Sequence, residues 1–450
     1  MNEKSFETEV SRRQFLGTAG KAAAGLSFLG GLTVERCAYA AGDDTIKLAL
    51  VGCGGRGSGA AEQALDTGNV KLVAVADAFE GRLKSGLQAL QGKHPDKVDP
   101  ATVQTFVGLD AYKKAIALAD VVILATPPGC RPMHFEEAVA QGKHIFMEKP
   151  VATDPNGVRR VLAANQDAKK KNLKVGVGFQ RHHQAQYLEA YQRIKDGAIG
   201  DILAMRVYWR GGSRGGQPRQ AGETEVQYQI RNWYFFTYLS GDHIVEQHCH
   251  NIDMGNWFKG AHPIRANGVG GRQSRTSKEC GQIYDHHYVE FTYEDGTTMI
   301  SQCSQFPKGW GYVGEKLTGS KGTATFHDPK PGYVITGAKP WSFTGKAEDA
   351  YHVEHKDLFA AIRDGTPYNE AEYGAHSSMT AIMGRMATYS GQEVEWDDAF
   401  HCEVGLMPSE MSFDRDPPVM PDANGFYPVA HPGQTGICQD FSNPSVKPQV

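Results

Sequence analysis

The sequence predicts an α/β protein in two parts: a doubly wound parallel sheet, then an α+β domain on a large, open, mainly antiparallel sheet. Three observations carry this. Between residues 46 and 179, short apolar runs alternate with stretches of helical spacing, as strands buried on both faces alternate with crossover helices. A glycine-rich turn follows the first apolar run directly. Between residues 289 and 326 the period changes to two, around an Asp295-Gly296 hairpin signal.

Ile46–Val51 is a buried strand containing one lysine, and residues 60–65 read as helix. Residues 71–76 form a second buried strand that ends at Asp77. Residues 119–125 are a third, running into Thr126-Pro127-Pro128. Residues 132–141 are a helix stopped by Gly142, and His144–Met147 is a strand leading into Glu148-Lys149-Pro150. Residues 151–172 read as helix, with Val158, Val161, Leu162 and Ala168 on one stripe; residues 175–179 are one more strand. Residues 289–293, 297–302 and 323–326 alternate as strands, and 354–391 read as helices. From 403 to 450 the chain is rich in Pro, Asn and Asp without periodicity, which predicts an extended arm over its own or a neighbouring subunit.

The turn Gly52-x-Gly54-x-x-Gly57 lies between a strand and a helix, and Asp77 follows 20 residues beyond Gly57. Gly52 permits the tight turn, Gly54 lets the backbone approach a pyrophosphate, and Gly57 lets helix and strand pack closely. The helix N-terminus, with Gly55 and Arg56, turns unpaired N–H groups toward phosphates. Asp77 suits an adenosine ribose diol and repels a 2′-phosphate. Residues 41–172 therefore read as a Rossmann domain for NAD, with NADP left open by Arg56 and Arg82.

Residues 1–40 read as a twin-arginine signal peptide: Ser11-Arg12-Arg13-Gln14-Phe15-Leu16, a weakly apolar stretch from 17 to 32, and Ala38-Tyr39-Ala40 for cleavage. That route exports folded protein, so a periplasmic or secreted enzyme carrying its cofactor is expected, with the export machinery as a partner. No run is apolar enough for a membrane anchor. Removing the leader's five basic and four acidic residues leaves 42 basic and 47 acidic ones, which speaks against a nucleic-acid partner. Seven cysteines then remain, scattered and without a CxxC pair, and no disulfide framework is expected.

The glycine turn, Ala125-Thr126-Pro127-Pro128 and Glu148-Lys149-Pro150, followed by Ser240-Gly241-Asp242, Glu246, His250, Asp253 and Trp257, resemble the Gfo/Idh/MocA family (glucose–fructose oxidoreductase, inositol dehydrogenase, rhizopine catabolism) over roughly residues 45–400. The resemblance implies a second domain at residues 173–402 whose sheet, with the first domain's strand ends, encloses a carbohydrate or polyol. It also implies a cis Pro150 and a homo-oligomer, dimer or tetramer, joined through the open sheet face.

Lys149 matches the family lysine that holds the substrate oxygen, and His250 the general base. Glu246, four residues before His250, stands where the family usually has aspartate; orienting His250 and binding substrate both remain open for it, with Asp242 as a substitute. Thr126, Pro127, His134, Glu148 and Lys149 join the glycine turn and Asp77 as cofactor contacts. Arg181, His182, Arg231, Trp233, Tyr234, Asp242 and His248 are the candidate substrate residues, since aromatic faces stack on sugars while Arg, Asn and Asp pair with hydroxyls. The histidines are dense, but His248-x-His250 cannot share a helix face, and no metal site is expected. The first reading is a sugar or glycoside oxidoreductase with tightly bound NAD, reset in a ping-pong cycle. The alternatives are a redox-neutral glycosidase or lyase working through a transient 3-keto sugar, and a non-catalytic sugar-binding protein retaining NAD.

Overall fold

The computed structural model describes residues 45–327 and 332–438; the twin-arginine leader lies outside them. Six parallel strands form the first sheet: β1 (Ile46–Val51), β2 (Val70–Asp77), β3 (Gln104–Val107), β4 (Val121–Leu124), β5 (His144–Met147) and β6 (Val175–Val177). Their spatial order is β3-β2-β1-β4-β5-β6, so the chain reverses direction across the sheet between β1 and β4. Open α/β sheets leave a crevice at that point, at the carboxyl ends of the strands. β6 hydrogen-bonds to β5, so the sheet runs past the boundary expected at residue 172. Five helices connect the strands: α1 (Gly55–Leu65), α2 (Glu80–Lys93), α3 (Ala111–Ala117), α4 (Arg131–Ala140) and α5 (Pro155–Lys170).

The second sheet contains β7 (Ile202–Arg210), β8 (Arg265–Gly271), β9 (His286–Thr292), β10 (Thr298–Ser304), β11 (Tyr312–Gly319), β12 (Gly322–His327), β13 (Gly332–Gly337), β14 (Trp341–Ser342) and β15 (Val394–Glu395). Its pairs are antiparallel except β7 with β10. The Asp295-Gly296 turn joins β9 to β10, and Gly296 sits at φ +82°, where a side chain is costly. One face is covered by helices, the other left open: Val269 is 69 % exposed there, directly across from Tyr288 at 39 %.

The remaining helices are α6 (Ala185–Lys195), α7 (Glu225–Arg231), α8 (Thr237–Ser240), α9 (His243–Glu246), α10 (Cys249–Lys259), α11 (Ala350–Asp364), α12 (Ala371–Ser390) and α13 (Trp396–Phe400). Although late in the chain, α11 packs on the first sheet: Leu358, Phe359 and Ile362 share a core with Leu48, Leu50 and Phe146. His183 ties α11 and α12 to the turn after β6, its Nδ1 2.7 Å from Asp357 and its Nε2 3.0 Å from Glu370. Burial disfavours its charge, but the two carboxylates more than offset this and raise its pKa to about 10.

A folded-state pKa above the unfolded value of roughly 6.5 stabilises the fold fully below that value. The contribution fades as pH rises through about 10. We therefore expect His183→Gln to cost about 2–3 kcal/mol at pH 7 and much less at pH 10. Urea melts of both proteins across that range check it.

Candidate active site

Three connected cavities run along the carboxyl ends of the first sheet. The largest, about 240 Å³, is lined by Arg56, Ala125, Thr126, Pro128, Arg131, Glu148, Lys149, Gly178, Gln180, Trp233, Glu246, His250 and Tyr351. The next, about 190 Å³, lies over the glycine turn and reaches Asp77, Phe79 and Arg82. The third, about 60 Å³, continues past Asp77, Ala78 and Gly108 to Tyr112 and His134. Thr126 borders all three, so they form one elongated cleft.

The glycine turn has the cradle a dinucleotide needs. Gly52 adopts φ +97°, and a Cβ there would lie 2.7 Å from the Ala125 backbone. A Cβ on Gly57 would lie 1.9 Å from the Gly52 carbonyl oxygen, so only glycine lets α1 approach β1 this closely. Gly54 precedes α1 with no side-chain cap, leaving that helix's first N–H groups free to face phosphate. Asp77 Oδ2 accepts from the Cys53 backbone N–H at 2.8 Å and Oδ1 from that of Phe79 at 2.9 Å. The carboxylate is thereby fixed at the end of β2, with lone pairs left for a ribose diol. Deeper in the cleft, the Thr126 hydroxyl lies 3.1 Å from His134 Nδ1. Burial, with Arg131 nearby, drops the His134 pKa to about 3, so this imidazole is neutral.

At the other end, the Lys149–Pro150 peptide is cis. Lys149 Nζ donates to the Glu246 carbonyl at 2.6 Å and lies 3.7 Å from Glu246 Oε1. Burial opposes the ammonium charge, but Glu246, Cys249 and Glu148 more than offset it and raise the pKa, so Lys149 is a cation. His250 is 6 % exposed, and its Nδ1 has no partner. Burial, then the cations Lys149 and Arg181, push its pKa well below 6.5, leaving it neutral and able to accept a proton. Trp209 stacks near its ring at 5.9 Å, and Phe179 meets it edge-on at 5.8 Å. Glu246 and His250 do not share one helix: α9 ends at Glu246 and α10 begins at Cys249, yet both side chains border the cavity. Arg56 bridges to Glu148 at 2.8 Å and covers the Tyr351 ring at 4.7 Å.

Several candidate substrate residues lie elsewhere. Asp242, at φ +73°, is fully buried and saturated: Oδ2 accepts from the Tyr284 N–H at 2.8 Å and the Tyr389 hydroxyl at 2.6 Å, and lies 3.3 Å from His287 Nε2. Oδ1 caps α9 and meets His243 Nδ1 at 2.8 Å. Asp242, His243 and His287 are close enough to share a cation, but these partners already account for the carboxylate. His248 is buried against Ser301 Oγ at 2.9 Å. Arg181 is spent on Glu315, and Arg231 on Glu223 at 2.6 Å. Tyr234 is buried, accepting from Gln305 at 2.7 Å. His182 faces a separate cavity beside Trp257 and Tyr373, held by Asp253 at 2.8 Å. Of that set, Trp233 alone borders the cleft, in both larger cavities.

The cleft also has walls that sequence patterns do not disclose. Gln180 does carry a local signal, since it lies three residues past the end of β6 at the mouth of the crevice. Tyr351, Ile230, Met407 and Met411 had no local signal, because distant chain segments bring them in.

The family model "Oxidoreductase family, NAD-binding Rossmann fold" matches residues 46–179, and "GFO/IDH/MocA C-terminal domain" matches 187–325. An inositol 2-dehydrogenase of Rhizobium meliloti (strain 1021) is 25 % identical over 71 % of this chain and 90 % of its own length. Scyllo-inositol dehydrogenase from Lactobacillus casei, solved with bound NAD(H) and scyllo-inositol, aligns with a TM-score of 0.60 at 20 % identity, over 78 % of this chain and 99 % of that one. Aldose-aldose oxidoreductase from Caulobacter crescentus, complexed with glycerol, aligns at 0.61 and 18 % identity, over the same shares. The chain belongs to the Gfo/Idh/MocA oxidoreductase family, and its first domain is that family's NAD-binding Rossmann fold.

Proposed function

We propose that this protein oxidises a ring CH–OH of a neutral sugar or cyclitol, using an NAD that does not leave between turnovers. The carrying observation is the convergence of Lys149, Glu246, His250, Gln180 and Trp233 on one cavity of about 240 Å³, continuous with the dinucleotide cleft. That volume admits one sugar-sized ring beside a nicotinamide. The relatives named inositol dehydrogenases and the aldose-aldose oxidoreductase support this substrate class.

When bound, NAD supplies the hydride acceptor. The neutral His250 takes the hydroxyl proton at a ring nitrogen. The Lys149 ammonium donates to the same oxygen as negative charge builds there, and the Glu246 carboxylate holds that ammonium in place. Trp233 and Tyr351 supply aromatic walls of the same cavity. Gly52, Gly54, Gly55, Arg56, Gly57, Asp77, Thr126 and Pro127 hold the dinucleotide.

Retention is supported by the roof over the adenosine end. Met407 and Met411 from the C-terminal arm, with Ile230 and Leu239, line the third cavity, and Phe413 lies 6.0 Å from Phe79. A cofactor held under such a strap must be reset in place by a second sugar, which gives ping-pong kinetics. Export by the twin-arginine route, in folded and loaded form, suits this cycle, and the exposed sheet face around Val269 and Tyr288 suits a homo-oligomer.

The test is to purify the exported protein, denature it and assay the supernatant for NAD, then screen sugars by absorbance of the bound cofactor. A free keto-sugar supports the reading; a released aglycone without net oxidation would replace it with the redox-neutral one. Replacing Met407 and Met411 by serine is expected to speed NAD release about 10- to 100-fold, because serine removes most of the apolar surface that the two thioethers place over the adenosine end. Stopped-flow fluorescence of the released cofactor measures it.

A further inference from the structure

We propose that Cys402 and Cys438 are joined by a disulfide in the working protein, closing the C-terminal arm into a covalent loop over the cofactor. The inference rests on the strap reading above. The two thiols stand where the arm begins and near the end of its described part, 36 positions apart in sequence, and lie within hydrogen-bonding reach of each other. They border one small cavity together with Val404, Leu406 and Ile437.

Each end is anchored independently of the other. Arg159 on α5 donates to the Phe400 carbonyl and, at 2.9 Å, to the Cys402 carbonyl, while the Leu406 N–H donates to Asp154 Oδ2 at 2.9 Å. At the far end, the Gly433 N–H donates to the Ser390 carbonyl at 2.7 Å, and Ile437 packs on the main core. The fold therefore brings the two thiols together without the bond. Between these anchors the arm carries Met407, Met411 and Phe413 across the dinucleotide cleft. The other five cysteines of the described residues stand apart from this pair; Cys53, Cys249, Cys280 and Cys303 are buried in the body.

The oxidant is an oxidised disulfide, R–S–S–R, from a protein thiol oxidant or glutathione disulfide. The exposed Cys438 sulfur attacks one sulfur of R–S–S–R, forming a Cys438–S–S–R bond and releasing RSH. Cys402 then attacks the Cys438 sulfur, closing the Cys402–Cys438 bond and releasing the second RSH. Two electrons pass from the pair to R–S–S–R, and both thiol protons leave on the two RSH molecules. Partial burial and the neighbouring Cys402 thiol hold the Cys438 thiol up at about 12, so thiolate is scarce and exchange with small disulfides is slow at neutral pH. The bond fits an oxidising compartment and would be absent before export.

The test uses the full chain purified from the exported fraction without reductant, alkylated under denaturing conditions and mapped by mass spectrometry. A cross-linked peptide containing Cys402 and Cys438 is expected, with the other mature cysteines alkylated. Incubating a cytoplasmic preparation with glutathione disulfide at pH 8.5 should produce the same peptide. Both cysteines alkylated in both preparations would overturn the proposal. Cys438→Ser is then expected to release NAD at least about 10-fold faster than the oxidised protein, with turnover unchanged when NAD is saturating. A bond that forms without slowing NAD release would overturn the clasp while leaving the cross-link. An exported protein holding no NAD at all, with the bond present, would instead sink the retained-cofactor reading.

Discussion

Lys149→Met should lower kcat/KM by about 10²- to 10³-fold, and His250→Ala by about 10²- to 10⁴-fold, with bound NAD unchanged in both. The lysine supplies charge at the oxygen, and methionine keeps its bulk while removing that charge. The fall should lie mainly in kcat, because the developing alkoxide exists only beyond the ground state. The histidine adds a signature in pH. Its pKa is pushed well below 6.5 by burial and by Lys149 and Arg181, so the wild-type acid limb should lie below pH 6.5. As pH falls through that depressed value the base becomes protonated and activity is lost. In His250→Ala the limb should vanish. Steady-state profiles from pH 5 to 9 on the best sugar of the panel, with NAD stoichiometry from denatured samples, decide it. A Lys149→Met enzyme with normal kcat and a raised KM would reduce the lysine to a binding contact.

What the sequence disclosed was set by distance along the chain. The glycine turn, Asp77 and Lys149 each sit where a parallel strand ends, and a parallel sheet gathers its carboxyl ends into one crevice. Motif and position therefore coincide. Polar residues near a motif in sequence had no such guarantee. Asp242 and His248 stand beside Glu246 and His250 in sequence, yet Asp242 caps α9 from the turn before it, His248 lies in the turn between α9 and α10, and both are buried. Arg181 and Arg231 are substrate candidates by residue type, and Arg181 reads equally as a structural salt-bridge residue, but the sequence does not show which carboxylate each one meets. Glu223 is eight residues before Arg231, and Glu315 is 134 residues beyond Arg181. The reverse holds for Tyr351 and Met407. Neither sits in a motif, and α11 and the arm bring them to the cleft from far along the chain. The hairpin at Asp295-Gly296 was legible because its signal is local; the parallel pairing of β7 with β10 was not, since nearly 90 residues separate them.

Glu315→Ala should cost about 3–5 kcal/mol of stability. Its carboxylate is fully buried on β11 and accepts from Arg181 Nη1 at 2.5 Å, Asn251 Nδ2 at 2.5 Å and the Tyr187 hydroxyl at 2.7 Å. Alanine leaves a buried guanidinium without a counter-charge and strands an amide and a phenol. Glu315→Gln keeps the shape and some of the bonds, and should cost less, about 1–3 kcal/mol. The double variant Arg181→Met, Glu315→Leu removes both charges, and should recover much of the stability, since the expense lies in the unpaired charge. Chemical melts of the wild type, Arg181→Met, Glu315→Leu and the double variant give the coupling, with Glu315→Ala and Glu315→Gln measured beside them. The same carboxylate links stability to the site, because Arg181 follows Gln180 and Asn251 follows His250, both of which line the substrate cavity. Below its melting range Glu315→Ala should therefore turn over more slowly as well, with an acid limb shifted upward if Arg181 withdraws from His250. A variant destabilised as predicted but with unchanged kcat and pH profile would show that the cavity walls are held by other contacts.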